Sequence, residues 1–137
     1  MLLAIDLTSE VPIYQQLRDR IVEAIAEGSL PSGSRLPATR QLAADFGINF
    51  HTVNKAYDLL RQEGLLQLTR KAGATVLRDA ASGPPPAEFA PSWEERTRTL
   101  LAEAVAQGMP KSEIVARCEA LLAGFGTGSS DPLNTEG

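Results

Sequence analysis

The sequence predicts a mainly α-helical fold with a small β-hairpin, followed by a separate segment of two helices. Apolar residues recur at helical spacing in three successive segments before Gly64, and two short alternating segments joined by a turn follow it. A proline-rich stretch then precedes two further amphipathic segments. The predicted organisation is a first domain over 1–78, a linker over 79–91, a helical hairpin over 92–126 and a disordered tail over 127–137.

The chain begins with an apolar arm over residues 1–8, which could be either a small strand or an extension packed on the domain. The first predicted helix spans Pro12 to Glu27, because proline is tolerated at the first helical position. Gly28 ends this helix, and Leu30 is placed to pack back against it. One apolar face of the helix is predicted to carry Ile13, Tyr14, Leu17, Ile21, Ala24 and Ile25.

Residues 36–57 predict two short helices joined by a turn at Gly47. Glycine can adopt the left-handed conformation that closes the first of these helices. Asn49 is a favoured residue for capping the second helix, and Ile48 and Val53 can pack together across its first turn as a hydrophobic staple. These signals predict a tight helix-turn-helix.

The second of these helices places polar and basic side chains opposite its apolar face. His51, Asn54 and Lys55 project near its start, and Arg40 lies beside them on the preceding helix. A recognition helix presents this end to base edges in the major groove. A merely solvated polar face is the alternative interpretation, and the surrounding chain favours the functional one.

Two short strands are predicted after the third helix. Leu65 to Thr69 alternates in polarity, residues 70–73 have the glycine and the charge of a hairpin tip, and Ala74 to Arg78 returns. A helix-turn-helix followed by a basic hairpin is a winged helix, and Arg70 and Lys71 at the tip could neutralise phosphates. The alternative is a tip that is charged only for solubility.

Basic residues are concentrated in one segment of an otherwise acidic chain. The formal net charge is −4, yet residues 35–78 hold seven Lys or Arg against three Asp or Glu. The rest of the chain holds six basic and fourteen acidic residues. This asymmetry indicates a phosphate-facing patch, although dispersed charges give a weaker footprint than a polybasic tail.

The composition argues against catalysis, metal binding and membrane insertion. Cys118 is the only cysteine and His51 the only histidine, so neither an internal disulfide nor a zinc cluster is expected. No catalytic constellation stands out, and no cofactor is expected. No apolar run approaches about 18 residues and no secretory signal is present, so we expect a cytoplasmic protein that is not an enzyme.

Four segments, taken in order along the chain, resemble the winged-helix DNA-binding domain of the GntR family of bacterial transcription regulators. They are PIYQQL at 12–17, EGSLPSGSRLPATRQLA at 27–43, GINFHTVNKAYDLLRQEGLL at 47–66 and KAGATVL at 71–77. The match covers about half the chain. The opening PIYQQL and the shortness of the segment after the winged helix are similar to the YtrA subfamily, in which a small helical segment replaces the larger effector-binding domains.

The resemblance implies a role for particular residues. Arg40 matches a helix-two arginine that contacts DNA, and Thr52 matches a threonine that holds the DNA backbone. Asn49, Phe50, His51, Asn54 and Lys55 lie where the family meets base edges or phosphates, and Gly73 falls within the wing tip. The complete predicted DNA-binding set is Arg35, Arg40, Asn49, Phe50, His51, Thr52, Asn54, Lys55, Arg70, Lys71 and Gly73.

Four residues depart from the family's pattern. Ala38 stands where a capping serine is common, and a missing side-chain cap typically costs about 1 kcal/mol. Phe50 replaces a common arginine, which leaves an apolar edge suited to a thymine methyl group or to packing. Ala72 and Ala74 stand where wing glycines are usual, so a stiffer or differently turned tip is expected. We expect DNA binding with an altered sequence preference and modest affinity. The alternative function is a winged-helix protein-interaction module that has weakened or lost DNA binding.

The two carboxyl-terminal helices are predicted to form a dimer interface. A capping box at Ser92 and Glu95 begins the first helix, and the second spans Pro110 to about Ala123. Two short helices cannot enclose a core, so their apolar stripes need a partner, either a second chain or the protein's own winged helix. The predicted dimerisation residues are Trp93, Leu100, Leu101, Val105, Ile114, Cys118, Leu121, Leu122 and Phe125.

A dimer of winged helices implies a specific kind of DNA target. Two-fold symmetry presents two recognition helices to half-sites about one helical turn or a multiple apart, so the operator is expected to be an inverted repeat. Resemblance to the YtrA group implies a repressor of its own operon, which often includes transporter genes. Any small-molecule effector is unknown from the sequence.

Overall fold

A computed structural model describes residues 3–69 and 73–125 of the chain. The mainly helical fold with a small antiparallel sheet is confirmed. The described chain divides into two compact units, the first ending at Ser82 and the second covering Gly83–Phe125. The elements are α1 (Ile13–Glu27), β1 (Arg35–Leu36), α2 (Thr39–Phe46), α3 (Phe50–Gln62), β2 (Leu66–Thr69), β3 (Gly73–Val76), α4 (Phe89–Ala106) and α5 (Lys111–Ala123).

The core of the first unit is formed by the apolar faces predicted for its helices. Leu17 and Ile21 of α1 are fully buried, as are Val53 and Leu60 of α3. Helices bury such stripes because residues three and four apart share one face. Leu30 is also buried, and its N–H donates to the Ala24 carbonyl oxygen at 3.2 Å, which confirms that it packs back after α1.

The arm before α1 is an extension packed on the domain, and its described residues form no strand. Leu3 and Ile5 are half-buried against the core. The buried Gln16 side chain accepts a hydrogen bond from the Asp6 N–H at 2.8 Å and donates to the Asp6 carbonyl oxygen at 2.9 Å. This pair of bonds secures the arm to α1 and decides between the two interpretations that the sequence left open.

The sheet has three strands rather than the predicted two. In the order β1-β3-β2, all pairs are antiparallel, and Arg35 and Leu36 lie opposite Thr75 and Ala74. The two-residue β1 was not predicted because it is too short to show an alternating pattern. The hairpin of β2 and β3 is confirmed, while its predicted tip residues Arg70, Lys71 and Ala72 lie outside the described residues.

The second unit consists of α4 and α5, and neither helix has a buried residue. Helix α4 begins at Phe89, three residues before the predicted start, so the cap predicted at Ser92 is wrong. Pro91 does not prevent the earlier start, because a first-turn N–H has no intrahelical acceptor to lose. The predicted linker therefore loses its last three residues to α4, and the predicted tail at 127–137 lies outside the described residues.

Within the part of the chain that the structure describes, no helix is both long and apolar enough to span a bilayer.

Candidate nucleic-acid interface

The predicted turn between α2 and α3 is present, and its two terminal signals are confirmed. Gly47 takes the left-handed conformation with a φ of 67°, and the following Ile48 N–H donates to the Ala43 carbonyl oxygen at 3.0 Å. The Asn49 side chain accepts a hydrogen bond from the His51 N–H at 2.8 Å. These contacts fix where α3 begins and therefore where its first polar side chains project.

A hydrogen bond inside the first unit ties α3 to the entry of α2. The hydroxyl of the buried Tyr57 donates to the Pro37 carbonyl oxygen at 2.7 Å. Burial raises the pKa of Tyr57, because the phenolate form would lose its hydration. The hydroxyl therefore stays neutral and remains a donor, and its hydrogen bond fixes α3 relative to the start of α2. Spacing along the sequence gave no signal for this contact.

Arg40, Phe50 and His51 form one cluster at the junction of α2 and α3. The Arg40 guanidinium carbon lies over the Phe50 ring, 4.0 Å from its centroid. The Phe50 and His51 ring centroids are 4.1 Å apart, with an interplanar angle of 32°. Together with Ala43, Ile48 and Asn49 they line an open depression of about 470 Å³. Four residues of the predicted DNA-binding set thus meet at one surface: Arg40, Asn49, Phe50 and His51.

Lys55 lies one helical turn beyond His51 on the same side of α3. Its ammonium nitrogen is 4.0 Å from the ring centroid of Tyr14, which belongs to α1. A cation over an aromatic ring is stabilised by the ring quadrupole and keeps its charge available to a phosphate. Tyr14 was predicted only as part of the apolar face of α1, because residues so far apart in sequence give no local signal.

Asn54 and Thr52 complete the predicted set on α3. Asn54 is exposed and makes no side-chain hydrogen bond within the described residues. Thr52 is half-buried, and its N–H donates to the Asn49 carbonyl oxygen at 3.0 Å. Asn54 can therefore offer its amide to a base edge, while the Thr52 backbone belongs to the first turn of the helix.

Six cations of the first unit fall into two groups. Arg18 pairs with Glu63 at 3.0 Å, Arg20 with Glu23 at 2.8 Å, and Arg61 with Asp58 at 2.7 Å. The hydrogen bond from Arg61 is the main reason that the pKa of Asp58 is lowered. By contrast, no described carboxylate forms an ion pair with the second group, Arg35, Arg40 and Lys55. All members of this second group belong to the predicted DNA-binding set.

Gly73 occupies a crowded position at the start of β3. Its φ is +78°, and an added Cβ would lie 2.7 Å from the Leu36 carbonyl oxygen and 2.9 Å from the Ala38 nitrogen. The hairpin thus requires glycine here for packing against β1, whether or not Gly73 also approaches DNA. The neighbouring Ala74 is fully buried, so the alanine that stands in place of the family's usual glycine packs in the core.

The predicted dimerisation residues of the second unit present an apolar surface. Trp93 is 51% exposed, Leu100 63% and Leu121 67%. Leu101, Val105, Leu122, Phe125 and Cys118 are also exposed, whereas Ile114 is half-buried. Large apolar side chains exposed together on a helix pair are typical of a surface that associates with a partner.

The arrangement of α2, α3 and the β2–β3 hairpin defines a winged helix-turn-helix, a fold class of DNA-binding transcription regulators. The profile described as bacterial regulatory proteins, gntR family, matches residues 13–76. The solved structure of YtrA from Sulfolobus acidocaldarius, a GntR-family transcription factor, is 36% identical, covers 77% of this chain and 99% of that chain, and has a TM-score of 0.60. The chain therefore belongs to the GntR family, whose members are transcription regulators, and its resemblance to YtrA is confirmed.

Two further comparisons bear on repression and DNA. The HTH-type transcriptional repressor YtrA of Bacillus subtilis (strain 168) is 34% identical over 79 residues, which are 58% of this chain and 61% of that protein. The structure of AraR(DBD) in complex with operator ORX1 is 26% identical, covers 56% of this chain and 98% of that chain, and has a TM-score of 0.50. The chain spans less than two thirds of the curated relatives that it first matches.

Proposed function

We propose that this protein is a homodimeric repressor that binds an inverted-repeat operator in double-stranded DNA. The observation that carries the proposal is a difference among six cations of the first unit. Arg35, Arg40 and Lys55 have no ion pair with a described carboxylate, whereas Arg18, Arg20 and Arg61 do. Unpaired cations on one predicted face are available to replace counterions along a phosphate backbone. Release of those counterions supplies a large share of the affinity for DNA.

The start of α3 is the element proposed to enter the major groove. His51 and Asn54 are exposed there and can meet base edges, while Arg40 approaches from α2. Lys55, Arg35 and the wing residues Arg70 and Lys71 are proposed phosphate contacts. Arg70 and Lys71 enter this proposal from the sequence alone, because they lie outside the described residues.

A mobility-shift titration on the DNA upstream of the protein's own gene tests the binding proposal. The wild-type protein should shift this DNA at low salt, and Arg40→Ala should weaken binding. Arg20→Ala is the matched control, because it also removes an arginine but one that already pairs with Glu23 at 2.8 Å. A folded dimer that shifts no DNA would contradict the proposal and favour a protein-interaction module instead.

The second unit is proposed to join two copies of the chain. Helices α4 and α5 have no buried residue, and their exposed apolar side chains would be covered by the same surface of a second copy. Sedimentation should therefore give the mass of a dimer. Leu121→Glu should shift the protein toward the monomer, and Glu119→Gln on the same helix is a control that removes no apolar surface. A monomeric wild type would contradict this part of the proposal.

Repression of its own operon in the cytoplasm is the proposed outcome of binding. The relative from Bacillus subtilis is named a repressor, and operator occupancy alone explains repression without an activation surface. A reporter fused to the upstream DNA should be expressed more strongly when the gene is deleted and return to its repressed level on complementation. Lower reporter expression in the deletion would identify an activator and overturn repression while leaving DNA binding intact.

A further inference from the structure

We propose that Phe50 is a positioning residue that holds the Arg40 guanidinium for reading a guanine, and so determines a base preference of the interface. The inference rests on the proposed function, because it requires DNA to meet the surface formed by α2 and α3. It assigns to Phe50 a role through Arg40 rather than a direct contact with a base.

The contact between Arg40 and Phe50 restricts a side chain that is otherwise unconstrained. Arg40 is exposed, and no described residue forms an ion pair or a side-chain hydrogen bond with it. Its guanidinium carbon nevertheless lies 4.0 Å from the Phe50 ring centroid. The ring is therefore the contact that limits where the donors of Arg40 can lie.

Phe50 is itself held in place from two sides. Its ring is half-buried against the hydrophobic core and lies 4.1 Å from the His51 ring. Phe50 is also the first residue of α3, where the Asn49 cap fixes the backbone. A platform anchored in the core and at a helix start positions Arg40 more firmly than another exposed side chain would.

A guanidinium that rests on a ring face is suited to guanine. No described residue accepts a hydrogen bond from its N–H donors, so they remain available to a base. Two such donors match the O6 and N7 acceptors that guanine presents in the major groove. Arg40 lines the open depression beside α3, so a base edge that enters there would meet these donors.

The test measures affinity for a panel of operators in which each base pair is changed in turn. The wild type should discriminate at one G·C pair by about tenfold or more, and Arg40→Ala should abolish that discrimination. Phe50→Leu retains an apolar contact with the core but removes the aromatic face, so discrimination at that pair should fall by about two- to fivefold. Phe50→Tyr retains the face and should discriminate as the wild type does.

A double-variant comparison separates positioning from a purely structural role. In the Arg40→Ala background, Phe50→Leu should have no further effect at that base pair. Tyr14→Leu removes the other contact between a cation and a ring, at Lys55, and should leave discrimination at the guanine unchanged. Circular dichroism of every variant should match the wild type.

Several results would overturn the inference. The first is undiminished discrimination at the guanine in Phe50→Leu, and the second is a loss of affinity in Phe50→Leu that is equal for every operator. The third is a loss of discrimination at a thymine that persists in the Arg40→Ala background, which would mean that the ring reads the base itself. Each of these leaves the proposed function standing, since the protein still binds DNA. Absence of all binding by the folded wild type would instead overturn the proposed function and this inference with it.

Discussion

The Tyr57 hydroxyl of α3 donates a part-buried hydrogen bond to the carbonyl oxygen of Pro37, two residues before α2, with 2.7 Å between the two oxygens. This bond connects positions 20 residues apart and joins the two helices whose relative placement defines the candidate interface. A carbonyl that is partly removed from water and loses its donor retains part of its desolvation cost, so the bond contributes to both stability and geometry.

Removal of this hydroxyl should destabilise the first unit. Tyr57→Phe is expected to lower the free energy of unfolding by about 1 kcal/mol, because the Pro37 carbonyl loses its partner. Urea denaturation followed by circular dichroism measures the change. Tyr14→Phe is the control, since no described residue accepts a hydrogen bond from the Tyr14 hydroxyl. Equal stability of Tyr57→Phe and the wild type would show that the bond contributes nothing.

The crowding at Gly73 predicts that a side chain there destabilises the fold by more than backbone strain alone would. Gly33→Ala introduces a side chain at a φ of +93° with nothing within 4 Å, and should cost about 1 kcal/mol. Gly73→Ala introduces the same strain at +78° and in addition a Cβ 2.7 Å from the Leu36 carbonyl oxygen. Thermal unfolding should therefore show a clearly lower midpoint for Gly73→Ala than for Gly33→Ala, and equal midpoints would refute the packing argument.

The two asparagines of the helix-turn-helix should have separable effects. Asn49→Ala removes the α3 cap and should lower the free energy of unfolding by about 1 kcal/mol, whereas Asn49→Ser should recover most of it. Asn54→Ala is expected to leave stability within about 0.5 kcal/mol and to change affinity at particular base pairs. Denaturation and binding titrations on the same samples test both expectations. Unchanged stability in Asn49→Ala would contradict its capping role, and unchanged base preference in Asn54→Ala would contradict its base-reading role.

Asp79 predicts a pH-dependent contribution to stability. Its carboxylate accepts hydrogen bonds from the Ser32 N–H at 2.8 Å and the Ala81 N–H at 2.9 Å. The bond from the Ser32 backbone is the main reason that the pKa of Asp79 lies below its ordinary value of 3.8.

Because the pKa is lowered by folding, the stabilisation is present above pH 3.8 and is lost as the pH falls through the folded-state pKa. Asp79→Ala should therefore be less stable than the wild type near neutral pH, and the difference should shrink in acid. Denaturation from neutral pH to pH 3 measures this, and a difference that stays constant would exclude the ionised carboxylate as its cause.

Local signals in the sequence predicted most of the first unit. The apolar periodicity of α1 and α3, Gly28 and the Asn49 cap act within one or two helical turns, so the residues themselves carry the information. Strand β1 escaped prediction because its two residues become a strand only by pairing with Thr75 and Ala74. The start of α4 was misplaced because Ser92 and Glu95 imitate a capping box, while Pro91 fits within the first turn.

The sequence supplied the candidate site residues, which remain a prediction, but it gave no signal for their mutual contacts. Arg40, His51 and Lys55 are polar or basic residues at positions suggested by helical spacing and by family resemblance. The aromatic rings that contact Arg40 and Lys55 are brought there by tertiary packing. Phe50 lies under Arg40, and Tyr14 lies under Lys55. The sequence left Phe50 open between packing and contact with a base, and the structure shows that it packs.

The salt dependence of operator affinity tests the central claim most directly, namely that the unpaired cations of the winged helix bind the phosphate backbone. The logarithm of the association constant should fall linearly with the logarithm of salt concentration, and Lys55→Ala should reduce the slope by about 1. The slope for Arg20→Ala should equal that of the wild type, because Arg20 already pairs with Glu23. A folded wild-type dimer that binds no operator at low salt, or a slope that Lys55→Ala leaves unchanged, would contradict the account.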